Sequence, residues 1–291
     1  MRVLTRGIGE AAVPERSNLA AQGQMGELVL GDDGLPADDG AGDWVDEKNR
    51  VLRTYLELHA VGRVGFSNRR NAYIDAFCGP GRAKVRGSDR YVEGSPVVAW
   101  KSSLERNAPF TELYIGDSEE TRRAACGERL RRLDAPVIEV TGNSAEAGKA
   151  IVDRLDPYGL HCVFIDPYGL GELRLELLRT LAGVRRIDIL IHLSSPHLFR
   201  HFESNYSAEQ WEFDKFAPGW RSRVPPGLPK DERRSAVIDY WKTLVDQMGM
   251  AASPEMHAIR NSANREVCWL LLIARRELAQ RFWRSVLRHG P

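Results

Sequence analysis

Hydrophobic and polar positions change period several times along the chain. From Trp44 to about Ala60 apolar residues recur at helical spacing. Val51, Leu52, Tyr55, Leu56, Leu58 and His59 form a broad face against Asp46, Glu47, Lys48, Asn49 and Arg53. A turn through Gly62 and Gly65 leads into Tyr73, Ile74, Asp75 and Phe77, whose β-branched and aromatic side chains predict a buried strand. Strands and helices then alternate. Strands are predicted at Leu113–Gly116, Val137–Val140, His161–Ile165 and Ile187–Leu193. Helices are predicted after Ser95, over Glu119–Leu133, from Ser144 to about Leu155 and over about Glu172–Leu181. Ser95 suits an N-cap with Pro96 at the first helical position, and Ser118 and Ser144 are placed to cap the next two helices. This alternation predicts an α/β fold with a doubly wound, mostly parallel, Rossmann-like sheet whose ligands sit at the carboxyl ends of the strands.

Elsewhere the rhythm is absent. Residues 1–42 are rich in Gly, Ala, Asp and Glu and hold few large apolar side chains, so they are expected to form a flexible leader ahead of one domain spanning 43–291. Residues 83–93 are polar. After the fifth predicted strand, residues 196–235 carry Trp211, Phe213, Phe216 and Trp220 and a Pro225-Pro226-Gly227 turn, the pattern of an aromatic-rich insertion packed over the sheet. A helix near Ser235–Met248, a strand near Val267–Ala274 and a helix over about Glu277–Leu287 complete the chain.

Composition narrows the function classes. With Lys+Arg 41 against Asp+Glu 40, the formal charge of +1 supplies no global field for nucleic acid or anionic membrane, so any basic surface is local. Local candidates are Lys84, Arg86 and Arg90, and the arginines around the last helix. Cys78, Cys126, Cys162 and Cys268 lack metal-ligand spacing and read as packed thiols, with Cys78 set apart by its place in a glycine loop. No apolar stretch approaches a membrane span and no signal core opens the chain, so a cytoplasmic location is the expectation.

The chemistry gathers at strand ends. Asp75 precedes the Gly79-Pro80-Gly81 turn, Asp117-Ser118 follows the second strand, and Asn143-Ser144 follows the third. One such Asp is as readily a helix cap; three polar groups in register predict an adenosine site in which Asp117 accepts from the ribose. The turn lacks the third glycine of a dinucleotide fingerprint and Pro80 donates no amide, which disfavours a diphosphate. An acid beside the turn suits a cationic cofactor, S-adenosylmethionine, held by Asp75, Phe77, Gly79, Gly81, Asp117, Ser118, Asn143 and Ser144 and released as S-adenosylhomocysteine. The fourth strand ends in Asp166-Pro167-Tyr168-Gly169. There Asp166 could accept the protons of an amino group, leaving its lone pair aimed at a methyl, while Tyr168 stacks on a planar acceptor.

From Trp44 onward the chain resembles the three-Cys-motif partner proteins, a family assigned to the class I S-adenosylmethionine-dependent methyltransferase fold. The matching residues are Trp44 to Lys48, Leu52-x-x-Tyr55-Leu56, Tyr73 to Arg82, Gly94-Ser95-Pro96, Phe164 to Gly169, Trp269 to Leu272 and Phe282-Trp283. The resemblance implies a partner, a radical-type protein bearing three cysteines. Asp166-Pro167-Tyr168-Gly169 is also similar to the Asp-Pro-Phe-Gly of tRNA guanine-N2 dimethyltransferases, which implies a base nitrogen as acceptor, in nucleic acid or in a nucleotide-like small molecule. The competing expectation is a cofactor-binding scaffold without transferase activity, which would present exposed Trp211 and Trp220 to its partner.

Overall fold

The computed structural model describes residues 26–194 and 213–288. Residues 1–25 of the expected leader and Trp211 of the expected insertion lie outside them.

The central sheet is built from β3 (Ala72–Asp75), β6 (Glu112–Gly116), β7 (Val137–Val140), β8 (His161–Ile165), β9 (Ile187–Ser194), β10 (Ala251–Ala252), β11 (His257–Arg260) and β12 (Glu266–Ala274). Its order is β10-β12-β9-β8-β3-β6-β7, with β11 also paired to β12. Strands β7, β6, β3, β8 and β9 are mutually parallel, and β12 runs antiparallel to β9. The doubly wound α/β expectation therefore holds. β3, β6 and β8 are buried on both faces, so they read as continuous apolar runs.

Side-chain alternation divides the core in two. Tyr73, Leu113, Ile115, Phe164, Leu190, Leu270 and Leu272 pack under α1 (Val45–Val64), α2 (Ser95–Glu105), α3 (Glu120–Arg131) and the last helix, α8 (Glu277–Arg288). Ile74, Val163, Ile165, Ile189, Ile191 and Leu271 face α4 (Ser144–Val152), α5 (Leu175–Ala182) and α7 (Lys230–Asp246). Phe213 and Phe216 of the one-turn helix α6 (Phe213–Phe216), together with Trp220, are fully buried in this second layer. Trp220 is thus core, against the exposure that the scaffold expectation required.

Two polar segments bury only a small apolar cluster, Val45, Val85 and Val92 with Ala41 and Ala83, and are ordered mainly by other means. Residues 26–42 were expected to be a leader, yet β1 (Leu28–Leu30) and β2 (Pro36–Ala41) join β4 (Arg82–Val85) and β5 (Tyr91–Glu93) in a four-stranded sheet of order β1-β2-β4-β5. Main-chain pairing is reinforced by arginines. Arg129 of α3 holds both oxygens of Asp33 at 2.7 Å and also donates to the carbonyls of Leu35, Pro36 and Pro80. Arg82 grips both oxygens of Asp32 at 2.5 Å. Forked, charge-assisted bonds of this kind offset the ordering entropy that the segment's few apolar groups cannot.

The helix starts also differ from expectation. Gly94, Glu119 and Asn143 occupy the N-caps of α2, α3 and α4, one residue before or after the serines expected there. At α4 the cap is a reciprocal box. Asn143 Oδ1 accepts from the amides of Ala145 and Glu146 at 3.1 and 3.2 Å, and the Glu146 carboxylate accepts from the Asn143 amide at 3.0 Å.

Candidate functional site

After β3 the chain winds outward through β6 and β7, then crosses back to place β8 on the other side of β3. The carboxyl ends of β3 and β8 therefore flank the switch point, where loops diverge and leave a crevice. A cavity of about 440 Å³ opens there. It is lined by the turn Phe77–Gly81 and by a contiguous group of Asp166–Tyr168, His192 and Ser194 with Trp44 and Lys48. Asp38–Gly42 of the small sheet, with Arg82, Arg86 and Glu93, form its roof.

The glycine turn is fixed from behind. Gly79 and Gly81 have φ of +53° and +79°, values that L side chains rarely adopt. A Cβ on Gly81 would stand 3.1 Å from Cys126 Sγ, and one on Gly79 would stand 3.3 Å from Tyr168 Oη and from Asp38 Oδ2. Asp117 uses one oxygen to accept from the Gly79 amide at 3.1 Å and the other to accept from Glu119 at 2.9 Å. Asp75 is fully buried; it accepts from Ser95 Oγ at 2.6 Å and from the Phe77 amide at 3.0 Å. Burial pushes its carboxyl up to about 7, against the opposing pull of those two bonds.

Five sequence-predicted residues, Phe77, Gly79, Gly81, Asp166 and Tyr168, line one cavity. Asp75 and Asp117 support the turn beneath it, where direct contact with a cofactor had been expected. Ser118 and Asn143 are exposed and do not line the cavity; Ser144 is buried and donates to the Glu172 carbonyl at 3.3 Å. Asp117 closes the loop after β6 and Asn143 caps the helix after β7, the capping role that such strand-end groups also offer.

Asp166 is more committed than its sequence context suggests. Lys48 Nζ pairs with Oδ2, and His192 Nδ1 lies 2.7 Å from Oδ1. The histidine contact is electrostatic in geometry, since neither ring nitrogen makes an aligned hydrogen bond. Burial alone would raise the carboxyl, but the charges of Lys48 and His192 outweigh it and hold Asp166 far below the ordinary carboxylate range. Burial likewise opposes the Lys48 charge, and the Asp166 carboxylate more than compensates, leaving its pKa raised. Trp44 completes the group, stacked on His192 with ring centroids 5.7 Å apart and planes 7° apart. Tyr168 has a separate anchorage: its hydroxyl accepts from Arg122 at 3.0 Å, and Arg122 also pairs with Asp38. Burial pushes the phenol up to about 12, so it stays protonated.

Lys48 and His192 were missed, although both carry a periodic signal. Lys48 is four residues before Leu52 and seven before Tyr55, on the buried stripe of α1, but its charge assigned it to the polar face. His192 shares the parity of Asp188 and Leu190 on β9, so its side chain emerges on the α1 side of the sheet.

No protein-family model and no curated protein matches this chain. Solved structures do match in shape. A Legionella pneumophila protein is 11% identical over 81% of this chain and 91% of its own, with a TM-score of 0.46. An O-methyltransferase from Bacillus cereus, crystallised with S-adenosylhomocysteine, is 10% identical over 78% of this chain and 80% of its own, with a TM-score of 0.43. The methyltransferase domain of a bacterial Hen1 is 10% identical over 77% of this chain and 99% of its own, with a TM-score of 0.39.

Proposed function

We propose that the chain is an S-adenosylmethionine-dependent methyltransferase that transfers a methyl group to a nitrogen of a nucleobase or base-like acceptor. One observation carries the reading: the glycine turn after β3 and the Asp166-Pro167-Tyr168-Gly169 turn after β8 line the same cavity at the switch point. The turn suits an adenosyl sulfonium better than a dinucleotide. The amides of Phe77, Cys78 and Gly79 are spent on Asp75, Gly116 and Asp117, and Pro80 has none, which leaves little to hold a pyrophosphate. The carboxylates of Asp38, Asp39, Glu93 and Asp166 line the cavity against the cations of Lys48, Arg82 and Arg86, a balance that accepts a positively charged ligand. Gly79 leaves space that a Cβ would fill between Asp38 and Tyr168. In this reading Phe77, Gly79 and Gly81 hold the cofactor, which supplies an electrophilic methyl carbon. Asp166 and Tyr168 flank the acceptor, and catalysis is largely orientation.

Membership of the three-Cys-motif partner family, with a radical-type partner protein, is part of the same proposal and rests on the matched motifs. Arg86 on the cavity roof supports a nucleic-acid or nucleotide-like acceptor, since Lys84 and Arg90 are paired with Asp89 and Asp46.

Calorimetry with S-adenosylhomocysteine, followed by incubation with labelled S-adenosylmethionine and RNA, DNA or nucleosides, tests the reading. Saturable binding and label on a base nitrogen are expected. Absence of binding would overturn it, and label transfer without any partner would exclude a purely scaffolding role. Binding of a polymer acceptor that weakens steeply with salt would assign the substrate to nucleic acid.

A further inference from the structure

His192 lines the cavity, and the orientation argument leaves its chemistry unused. It is 7% exposed, and Nε2 is buried with no hydrogen-bond partner among the described residues. A buried nitrogen left unpaired is destabilising, a cost that is tolerated where the group has work to do. The ring has little freedom: Trp44 covers one face, and Nδ1 is held toward the Asp166 carboxylate, itself fixed by Lys48. An imidazole with a carboxylate at one nitrogen and a cavity beside it is arranged as a base, because the carboxylate favours the tautomer with its proton on Nδ1.

We propose that His192 is the general base of this cavity, taking at Nε2 the proton that a nitrogen acceptor sheds as it gains a methyl group, with Asp166 and Lys48 as positioning residues. The inference rests on the methyltransferase reading and deepens it, because it confines the acceptor to a nitrogen that carries a hydrogen. The acceptor's lone pair forms the new N–C bond as the C–S bond breaks and its electron pair passes to sulfur, which becomes a neutral thioether. The positive charge now on the acceptor nitrogen is discharged by moving its proton to Nε2. The imidazolium so formed faces Asp166 and returns its proton to water once product leaves. Lys48 shares the carboxylate, so Asp166 steadies the imidazolium without holding that charge permanently. The other ionisable groups around this cluster are Asp75 at the end of β3 and Cys268 on β12.

Two measurements decide it. In ¹⁵N-labelled protein without ligand, long-range ¹⁵N–¹H spectra of the neutral His192 ring should show the Nδ1–H tautomer. A resting Nε2–H tautomer would overturn the assignment. In the full chain, His192→Gln should keep its circular dichroism and its affinity for S-adenosylhomocysteine while kcat falls on the order of 10²-fold or more. The acidic limb of its pH–rate profile should disappear as well. If the variant turns over at the wild-type rate with an unchanged profile, this inference falls and the methyltransferase reading stands. If the wild type binds no S-adenosylhomocysteine, both fall together.

Discussion

A buried acid–histidine pair lies at each end of the contact between helix α1 and strand β9, with opposite electrostatics; the upper acid comes from the turn after β8 and the lower one from β9 itself. At the carboxyl end of the sheet, Asp166 meets Lys48 of α1 and His192 of β9 beside the cavity. At the amino end, Asp188 of β9 accepts from Tyr55 Oη of α1 at 2.8 Å, and His59 Nε2 lies 3.7 Å away. Arg63 is not a partner of that acid; it contacts His59 Nδ1 at 2.7 Å and donates to the Ala108 carbonyl. Burial therefore dominates there. It pushes Asp188 up to about 6 and drives the His59 pKa well below its ordinary value, so the lower cluster tends to neutrality. In the upper cluster a cation in direct contact reverses the sign for Asp166. Burying an acid does not make a site. The acid next to the switch point stays charged because Lys48 reaches it, and that charge is what a cavity can use.

The same substitution in the two clusters should have opposite effects. Asp166→Asn leaves Lys48 without its counter-charge and is expected to cost about 3–5 kcal/mol at pH 7 in urea unfolding, the largest effect here. Because the folded carboxyl is held below its ordinary 3.8, its contribution is complete above that pH and is lost as pH falls further, so variant and wild type should converge in acid. Asp188→Asn should do the reverse. Its carboxyl rises from 3.8 to about 6, so between those pH values the folded state keeps a proton that the unfolded chain has released. Wild-type stability should thus decline over that window by about 2–3 kcal/mol relative to the variant and stay lower at pH 8. If Asp188→Asn is as destabilising at pH 8 as Asp166→Asn is at pH 7, the comparison breaks.

This contrast marks how far the sequence was legible. The strands β3, β6, β8 and β9 follow from runs that are buried on both faces and β7 from a half-buried run at the sheet edge, and their starts and ends fall within a residue or so of the expected ones wherever apolar runs meet polar turns. The glycine turn and the Asp166 turn were readable as a pair because parallel topology brings strand ends together. The small sheet was not, since β1 and β2 are held by Asp32 and Asp33 pairing with Arg82 and Arg129, contacts between residues about 50 and 96 apart that no local period records. Lys48 and His192 were lost for a related reason. A charge on a buried stripe looks like an error in the period until its partner, 118 residues away for Lys48, is known.

The smallest expected effect separates ionisation from packing in the lower cluster. Tyr55→Phe retains the ring, and with it the edge contact to Trp283 at 6.3 Å, but removes the hydroxyl that donates to Asp188. At pH 7, where the carboxylate needs that donor, the variant should lose about 1–2 kcal/mol in urea unfolding. The lost bond is one that lowers the Asp188 pKa, so its removal moves the acid further upward and shifts the decline in stability to higher pH. At pH 4 the acid is protonated in both proteins and the difference should shrink to a few tenths of a kcal/mol, the size of an ordinary neutral substitution. An equal loss at pH 4 and pH 7 would mean that the hydroxyl acts through packing alone. Asp188 would then be no titrating counterpart to Asp166.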